Sequence, residues 1–301
     1  MSNPILAFSA RRRMRSVRTP LVITCYALLL AAISCFLTYA CYLRPTATLW
    51  DIEASVNGYV AILVLQFVLL VLVAPAMTAG SISGERERQT LDLLLVTNMG
   101  AARLVLGKLL ESFGFLALLT LSSMPALSLA MLVGSATLPD VLAGVAFLLS
   151  MALMATSIGM FCSTLFQRTV TATVVSYLAV LGVGVVTLLP LIYDVRVLGA
   201  IYEAANVSTA YVATGTFVPV SFVLNPLLGF LALLQTQTGG METLFWSFSY
   251  TLGNASEYMR LSAAYLYNMA FMVGSSVLLA ALSALNLRLR SRGRVRRKRH
   301  A

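Results

Sequence analysis

The chain has 301 residues, of which 59% are hydrophobic and 11% are charged, and its mean hydropathy is +0.88. Soluble domains carry about 25% charged residues, so this composition excludes an ordinary soluble domain. Several uncharged runs reach the roughly 20 residues that an α-helix needs to cross a bilayer. The runs are continuously apolar, whereas barrel strands would alternate over about 10 residues, so we predict an all-α integral membrane protein.

The N-terminal segment, residues 1–20, is predicted to be an amphipathic helix on the inner leaflet. Its apolar residues Ile5, Leu6 and Phe8 precede a basic run in which Met14 and Val17 recur at helical spacing. Arginines in this run would be attracted to anionic headgroups by about 1 kcal/mol each, and they would also enforce orientation. These arginines are Arg11, Arg12, Arg13, Arg15 and Arg18.

Residues 21–287 form the predicted transmembrane domain, which contains six spans. The spans lie at about 21–43, 59–80, 104–133, 142–166, 170–193 and 265–287. Gln66 is the most polar side chain that lies clearly inside one of them.

The basic residues set the predicted orientation. With a cytoplasmic N-terminus, every lysine and arginine except Arg44, Arg196 and Arg260 lies on the cytoplasmic side. Cytoplasmic loops are enriched in these residue types, so the charges favour this arrangement. Both termini are therefore expected in the cytoplasm, and the protein in a bacterial cytoplasmic membrane.

Four alternating charges, from Glu85 to Arg88, interrupt the apolar sequence between the second and third spans. We predict a short cytoplasmic helix at about 83–97, with Ser83 as its N-cap and the glutamates in its first turn. Leu91, Leu94 and Leu95 would form an apolar stripe along this helix. Such a helix could dock on a partner protein or could rest its leucines on the bilayer, and the spacing does not decide between the two.

The segment 194–264 separates the fifth and sixth spans and is predicted on the outer face. It contains the apolar run 217–234, which is long enough for a seventh span. A seventh span would move the basic tail outside, and Pro219 and Asn225-Pro226 would break its helix within lipid. We therefore interpret the run as helices that lie at the outer face or dip into it.

The basic tail, residues 288–301, is interpreted as an orientation signal and a lipid-surface anchor. Nucleic acids attract similar residues, but no aromatic platform or DNA-binding motif accompanies the tail. No nucleic-acid partner is therefore predicted.

No catalytic, cofactor-binding or metal site is predicted in the chain. Its single histidine is His300, in the basic tail, which excludes histidine-based acid–base or zinc chemistry in a pocket. The stretch around Lys108 superficially resembles a phosphate loop, but its glycine spacing is wrong and Leu109 replaces the required hydroxyl. Charged residues are absent from mid-membrane depth, which disfavours a self-contained ion-coupled pump.

Residues 82–110, ISGERERQTLDLLLVTNMGAARLVLGKLL, closely resemble the signature of ABC-2-type transporter permeases. That signature has an acidic pair before a leucine-rich run, a short break, and Leu-Gly-Lys at the opening of the third span. Residues 3–19, NPILAFSARRRMRSVRT, resemble the arginine-rich start of the same family. Gln89 stands where a glycine is common, and Asp92 stands where a glutamate is common.

The resemblance implies a permease that works with separate nucleotide-binding subunits, which bind ATP and Mg²⁺ and carry out the hydrolysis. A coupling helix in the charged segment would fit into a cleft on this ATPase. Its contact residues would be Glu85, Arg86, Glu87, Arg88, Thr90 and Leu91. The arginines at 11–18 would form a flanking connecting helix, and two copies of the permease, or this chain and a related permease, would pair in the membrane.

We therefore expect an ATP-driven transporter, an exporter in direction, whose substrate the sequence does not name. Two other classes stay open on the sequence. A non-transporting membrane subunit, a sensor or an assembly platform, would share the coupling helix but lack a continuous cavity between spans. A secondary carrier or channel would need a functional polar residue at mid-membrane depth and would act without an ATPase.

Overall fold

The computed structural model describes residues 18–42, 52–89, 100–132, 136–189, 220–238 and 264–298. The regular structure in these ranges is α-helical, and we number its helices in chain order. They are α1 (Arg18–Tyr42), α2 (Ile52–Thr78), α3 (Gly80–Glu87), α4 (Ala101–Ser122), α5 (Met124–Leu132), α6 (Leu138–Leu165), α7 (Thr169–Val186), α8 (Val220–Leu224), α9 (Pro226–Thr238) and α10 (Ala264–Lys298).

Five helical stretches in the described ranges are long and apolar enough to cross a membrane. They are Gly58–Glu87, Ala101–Ser128, Leu138–Leu165, Thr169–Val186 and Ala264–Leu289. They correspond to the second to sixth predicted spans, so the all-α membrane class is confirmed. The first predicted span falls on α1, whose apolar stretch Ile23–Phe36 is shorter, and the count of six spans stays a prediction.

Two predicted segments are described only in part. Of the N-terminal segment 1–20, only residues 18–20 are described, as the first turn of α1. Of the outer segment 194–264, the described residues are 220–238 and the first residue of α10. At the other end of the chain, α10 continues without a break from the last span into the basic tail, as far as Lys298.

The described chain divides into two compact units, and the first comprises the residues up to Val180 together with those from Val273 onward. Its central helix is α6, since 72% of the most apolar stretch of α6 is buried. An apolar cluster joins four helices: Ile82 of α3, Leu104 and Leu109 of α4, Met160 of α6 and Leu287 of α10. The cluster places α3, the start of α4, the end of α6 and the part of α10 around Leu287 on the same side of the first unit.

The third span is broken at Ser123, between α4 and α5. Gln66 of α2 donates a hydrogen bond from Nε2 to the Ser123 hydroxyl at 2.7 Å, and the same nitrogen lies 3.4 Å from the Thr120 carbonyl oxygen. Ser34 of α1 donates to the carbonyl of Ala126 on the other side of the break, at 3.4 Å. Side chains of α1 and α2 therefore hydrogen-bond polar groups on both sides of the break.

The second unit, Leu181–Met272, contains the broken pair α8 and α9. The break at Asn225 was expected from the sequence. The side-chain oxygen of Asn225 accepts a hydrogen bond from the N–H of Leu227 at 2.8 Å and so caps α9. Nδ2 of Asn268 lies 2.8 to 3.0 Å from the carbonyl oxygens of Phe222, Val223 and Asn225. Two buried amides thus satisfy the backbone of the break.

Candidate functional site

The candidate site is the charged segment at the end of α3, and the junction between α2 and α3 sets its position. Helix α2 ends at Thr78, and α3 begins at Gly80. The hydroxyl oxygen of Ser163, on α6, accepts hydrogen bonds from the backbone N–H groups of Ile82 and Ser83 at 2.9 and 3.0 Å. A side chain that inserts in this way interrupts the backbone hydrogen bonds of a helix and bends it.

Serines of α3 satisfy the carbonyl groups at this junction. Ser81 donates to the carbonyl of Thr78, and Ser83 donates to the carbonyl of Ala79, each at 2.7 Å. Hydroxyl groups within a helix commonly bond carbonyls one turn back in this manner. The predicted role of Ser83 as an N-cap is therefore wrong, because Ser83 lies inside α3, whose N-cap is Ala79.

Helix α6 approaches the junction closely because Gly159 has no side chain. A Cβ atom at Gly159 would collide with the hydroxyl of Thr78. Gly159 and Ser163 are four residues apart and lie on the same face of α6. The glycine permits the close approach, and the serine then reaches the backbone of α3.

Glu85 connects α3 to the third span. Its Oε1 atom lies 2.7 Å from Nζ of Lys108, two turns into α4. The two side chains are only 19% and 24% exposed, so solvent and salt screen this ion pair less than a pair on the open surface. The pair therefore holds α3 against the start of α4.

Arg86 connects α3 to the end of the fourth span. Its guanidinium donates to the carbonyl oxygen of Phe166 at 3.1 Å and lies 3.4 Å from the carbonyl oxygen of Thr164. These carbonyls belong to the C-terminal end of α6, where the last groups lack partners within the helix. A cation is favourable there because this end of a helix carries partial negative charge.

Glu87 connects α3 to the beginning of the fifth span. Its Oε1 accepts the backbone N–H of Thr169 at 3.0 Å, and its Oε2 accepts the Thr169 hydroxyl at 2.8 Å. Thr169 is the first residue of α7. The N-terminal end of a helix carries unpaired N–H groups and partial positive charge, so a carboxylate stabilises it.

The alternation of charge along 85–87 thus matches three neighbours of alternating polarity. Glu85 meets an ammonium, Arg86 meets the negative end of α6, and Glu87 meets the positive end of α7. Successive helical residues point about 100° apart, so three consecutive side chains can reach three different helices. These side chains fasten α3 to the third, fourth and fifth spans.

Helix α3 ends at Glu87, where the predicted helix at about 83–97 would continue. Gln89 has φ = 57°, a left-handed conformation that cannot extend an α-helix. The described helix overlaps the predicted one only at residues 83–87. Thr90 and Leu91, two of the predicted contact residues, lie outside the described residues, as does the leucine stripe.

The remaining predicted site residues are distributed as follows. Arg88 and Gln89 are exposed beyond the end of α3. The connecting-helix residues Arg11 to Arg15 lie outside the described residues, and Arg18 is the first residue of α1. Within the described ranges, no group of three or more histidine, cysteine, aspartate or glutamate residues could hold a metal ion.

Sequence reasoning found the charged segment but missed its internal partners. Thr169, Ser163 and Gly159 carried no signal beyond ordinary small residues in or beside apolar spans. Lys108 was identified as part of a false phosphate loop and of the Leu-Gly-Lys element of the signature, but not as a partner of Glu85. The alternation of acidic and basic residues from Glu85 to Arg88 was the one available clue in the sequence. Neighbouring groups of alternating charge would require such a pattern.

Comparison with known proteins adds the family. A family model described as "ABC-2 family transporter protein" matches residues 10–292. No curated protein matches the chain. The matched range takes in the charged segment, the Glu87–Thr169 contact and all five helical stretches that are long enough to span a membrane.

Proposed function

This chain belongs to the ABC-2 family of transporter proteins, and we propose that it is the membrane permease of an ATP-driven exporter. Separate subunits would bind ATP and Mg²⁺, and their closure would move α3. The permease itself would supply the membrane path and would not be a catalyst.

One observation carries the proposal: Glu85, Arg86 and Glu87 each bind a different membrane helix or helix end. A force applied at the end of α3 would reach the start of α4, the end of α6 and the start of α7 together. A loop that merely rested on lipid would not need three such specific contacts. The arrangement therefore supports a mechanical link rather than a passive connection.

The side of the membrane on which the site lies follows from the distribution of basic residues. The helices that meet at the apolar cluster carry or adjoin five basic residues near it: Arg86, Arg88, Arg103, Lys108 and Arg288. Because cytoplasmic membrane edges are enriched in basic residues, we assign this side to the cytoplasm, where ATP is available. Both termini would also lie there, in a bacterial cytoplasmic membrane.

A single permease of this size would supply half of a transport path across the membrane. We propose that it pairs with a second copy or with a related permease, and that lipids surround the pair. Export, rather than import, is the direction expected from the family resemblance.

The test is reconstitution of the full chain with a Walker-motif ATPase that co-purifies with it from native membranes. The affinity-tagged chain is purified in mild detergent with that ATPase, and ATP hydrolysis is measured in liposomes with and without the chain. We expect a stable complex, and hydrolysis that changes when the chain is present. Failure of any Walker-motif ATPase to bind would contradict the proposal. A complex that hydrolyses ATP but moves none of a panel of amphipathic compounds would favour a non-transporting subunit.

A further inference from the structure

Gln66 of α2 is completely buried in the first unit, beside the break in the third span, with 0% of its surface exposed. It is also the most polar side chain that the sequence places clearly inside a span. The contacts that fasten α3 to the third, fourth and fifth spans do not involve it. The buried amide therefore has a chemistry that the charged segment does not explain.

The orientation of the Gln66 amide follows from the hydrogen bonds of Ser123. The Ser123 hydroxyl donates to the carbonyl oxygen of Thr120 at 2.6 Å, which uses its one hydrogen. The amide atom that lies 2.7 Å from this hydroxyl oxygen must then be a donor, and the donor of an amide is its nitrogen, Nε2. The opposite orientation would place two acceptors, Oε1 and the Thr120 carbonyl oxygen, against each other. Nε2 therefore faces the break, and Oε1 faces away from these two groups.

Oε1 of Gln66 is a buried acceptor, and no residue in the described part of the chain donates a hydrogen bond to it. Burial removes the water that would bond this oxygen in an unfolded chain, so an unpaired oxygen here would be destabilising. In native structures nearly all such groups bind either a protein donor or an ordered water molecule. The environment of Oε1 thus requires a donor that the described residues do not supply.

Asn268, in the second unit, is a comparable amide with a different outcome. Its Nδ2 also serves carbonyl oxygens of a broken helix, and its Oδ1 is also buried without a donor among the described residues. Gly229 packs directly on this oxygen, since a Cβ atom at Gly229 would collide with Oδ1. The glycine hydrogen that a Cβ would replace therefore points at Oδ1, and a C–H group of this kind is a weak donor. Close packing covers the amide oxygen of Asn268 and leaves no place for a ligand there.

We propose that Oε1 of Gln66 binds one ordered water molecule beside the break in the third span. The complete burial of Gln66 favours the smallest donor, because a lipid headgroup or an amphipathic compound needs an open cleft. The water would donate one hydrogen to Oε1. A helical side chain lies over the turn that precedes it, so the second hydrogen would reach the carbonyl of Ile62 or Leu63, each of which has a second lone pair. This inference does not depend on the proposed function.

The experiment is a crystal structure of the full chain, grown in a lipidic mesophase, at a resolution that shows ordered water. Gln66→Met is the comparison, because methionine keeps an unbranched side chain of similar length and lacks the amide oxygen. Asn268 is the internal control in both proteins, since Gly229 covers its Oδ1. In wild type we expect a single compact density peak about 2.8 Å from Oε1 of Gln66, and no peak at Oδ1 of Asn268. The peak should be lost in Gln66→Met.

The wild-type map decides the proposal even where Gln66→Met fails to fold. A protein N–H or hydroxyl group at hydrogen-bond distance from Oε1 would overturn it, as would an Oε1 with no density beside it. Elongated density would assign the oxygen to a lipid or to an amphipathic ligand. A peak that persists in Gln66→Met would show that other groups hold the water without Gln66. A peak of equal height at Oδ1 of Asn268 would contradict the argument from Gly229.

Discussion

The carboxylate of Glu87, at the last residue of α3, accepts both the backbone N–H and the hydroxyl hydrogen bond of Thr169, at the first residue of α7. These residues are far apart in sequence, and the contact joins the loop after the second span to the loop after the fourth. It makes Glu87 the N-terminal cap of a helix to which it does not belong. The charged segment is therefore part of the architecture of the first unit.

Substitutions at Thr169 should distinguish the contributions of its two hydrogen bonds to Glu87. Thr169→Ser keeps both donors, whereas Thr169→Val keeps only the backbone N–H and a similar shape. We expect Thr169→Ser to behave as wild type and Thr169→Val to retain part of the contact. The measurement is hydrogen exchange at residues 166–172 by mass spectrometry. Equal exchange in Thr169→Val and Glu87→Ala would mean that the backbone bond contributes nothing.

Charge exchange should test the ion pair of Glu85 and Lys108. Glu85→Lys and Lys108→Glu each place two like charges at a partly buried contact, so each should destabilise the chain by about 1 to 2 kcal/mol. The double exchange should recover part of that loss. The measurement is the fraction of protein that remains folded after stepwise heating in detergent, determined by size-exclusion chromatography. Additive losses in the double variant would show that the two residues do not interact.

Gly159 should tolerate no side chain. Gly159→Ala forces a methyl group against the Thr78 hydroxyl, and overpacking of this kind costs about 1 to 3 kcal/mol. Gly114→Ala is the matched control, because a Cβ there meets nothing within 4 Å. Thr78→Ala should partly rescue Gly159→Ala in the same heating assay. A Gly159→Ala variant as stable as Gly114→Ala would contradict the close approach.

Asn268 should be more sensitive to a carboxylate than to an apolar side chain. Its Nδ2 faces three carbonyl oxygens, so Asn268→Leu leaves these acceptors without their shared donor, at a cost of about 1 to 2 kcal/mol. Asn268→Asp should cost more, because its oxygens face the same carbonyls. Limited proteolysis of the detergent-solubilised chain measures the opening of the break. Equal protection in both variants and wild type would mean that Asn268 does not hold it.

The sequence alone was sufficient for the features that depend on lipid. The apolar runs identified five of the observed spanning stretches, because hydrocarbon demands about 20 apolar residues whatever the neighbours are. The break at Asn225 was also predictable, since Asn-Pro ends one helix and caps the next. The resemblance located the charged segment, and the family match over residues 10–292 agrees with it.

The predictions that were wrong or missing concern contacts between residues that are distant in sequence. Ser83 precedes charged residues in the manner of an N-cap, but Ser163, from another helix, bonds the N–H groups there and moves the helix start to Gly80. The close approach at Gly159 could not be predicted from the sequence. Nothing in the neighbouring residues distinguishes Gly159 from glycines such as Gly182, which has open space around it. Local sequence patterns reveal the charged residues but not the helix ends that these residues bind.

One measurement tests the central claim most directly: that Glu87 transmits motion from the ATPase to the spans. The full chain and its ATPase are reconstituted in liposomes as wild type, Thr169→Ser and Glu87→Ala, and complex formation and chain-dependent ATP hydrolysis are measured on the same samples. We predict that Glu87→Ala still forms the complex but loses the dependence of hydrolysis on the chain, while Thr169→Ser keeps both. Wild-type dependence in a stable Glu87→Ala complex would contradict the claim.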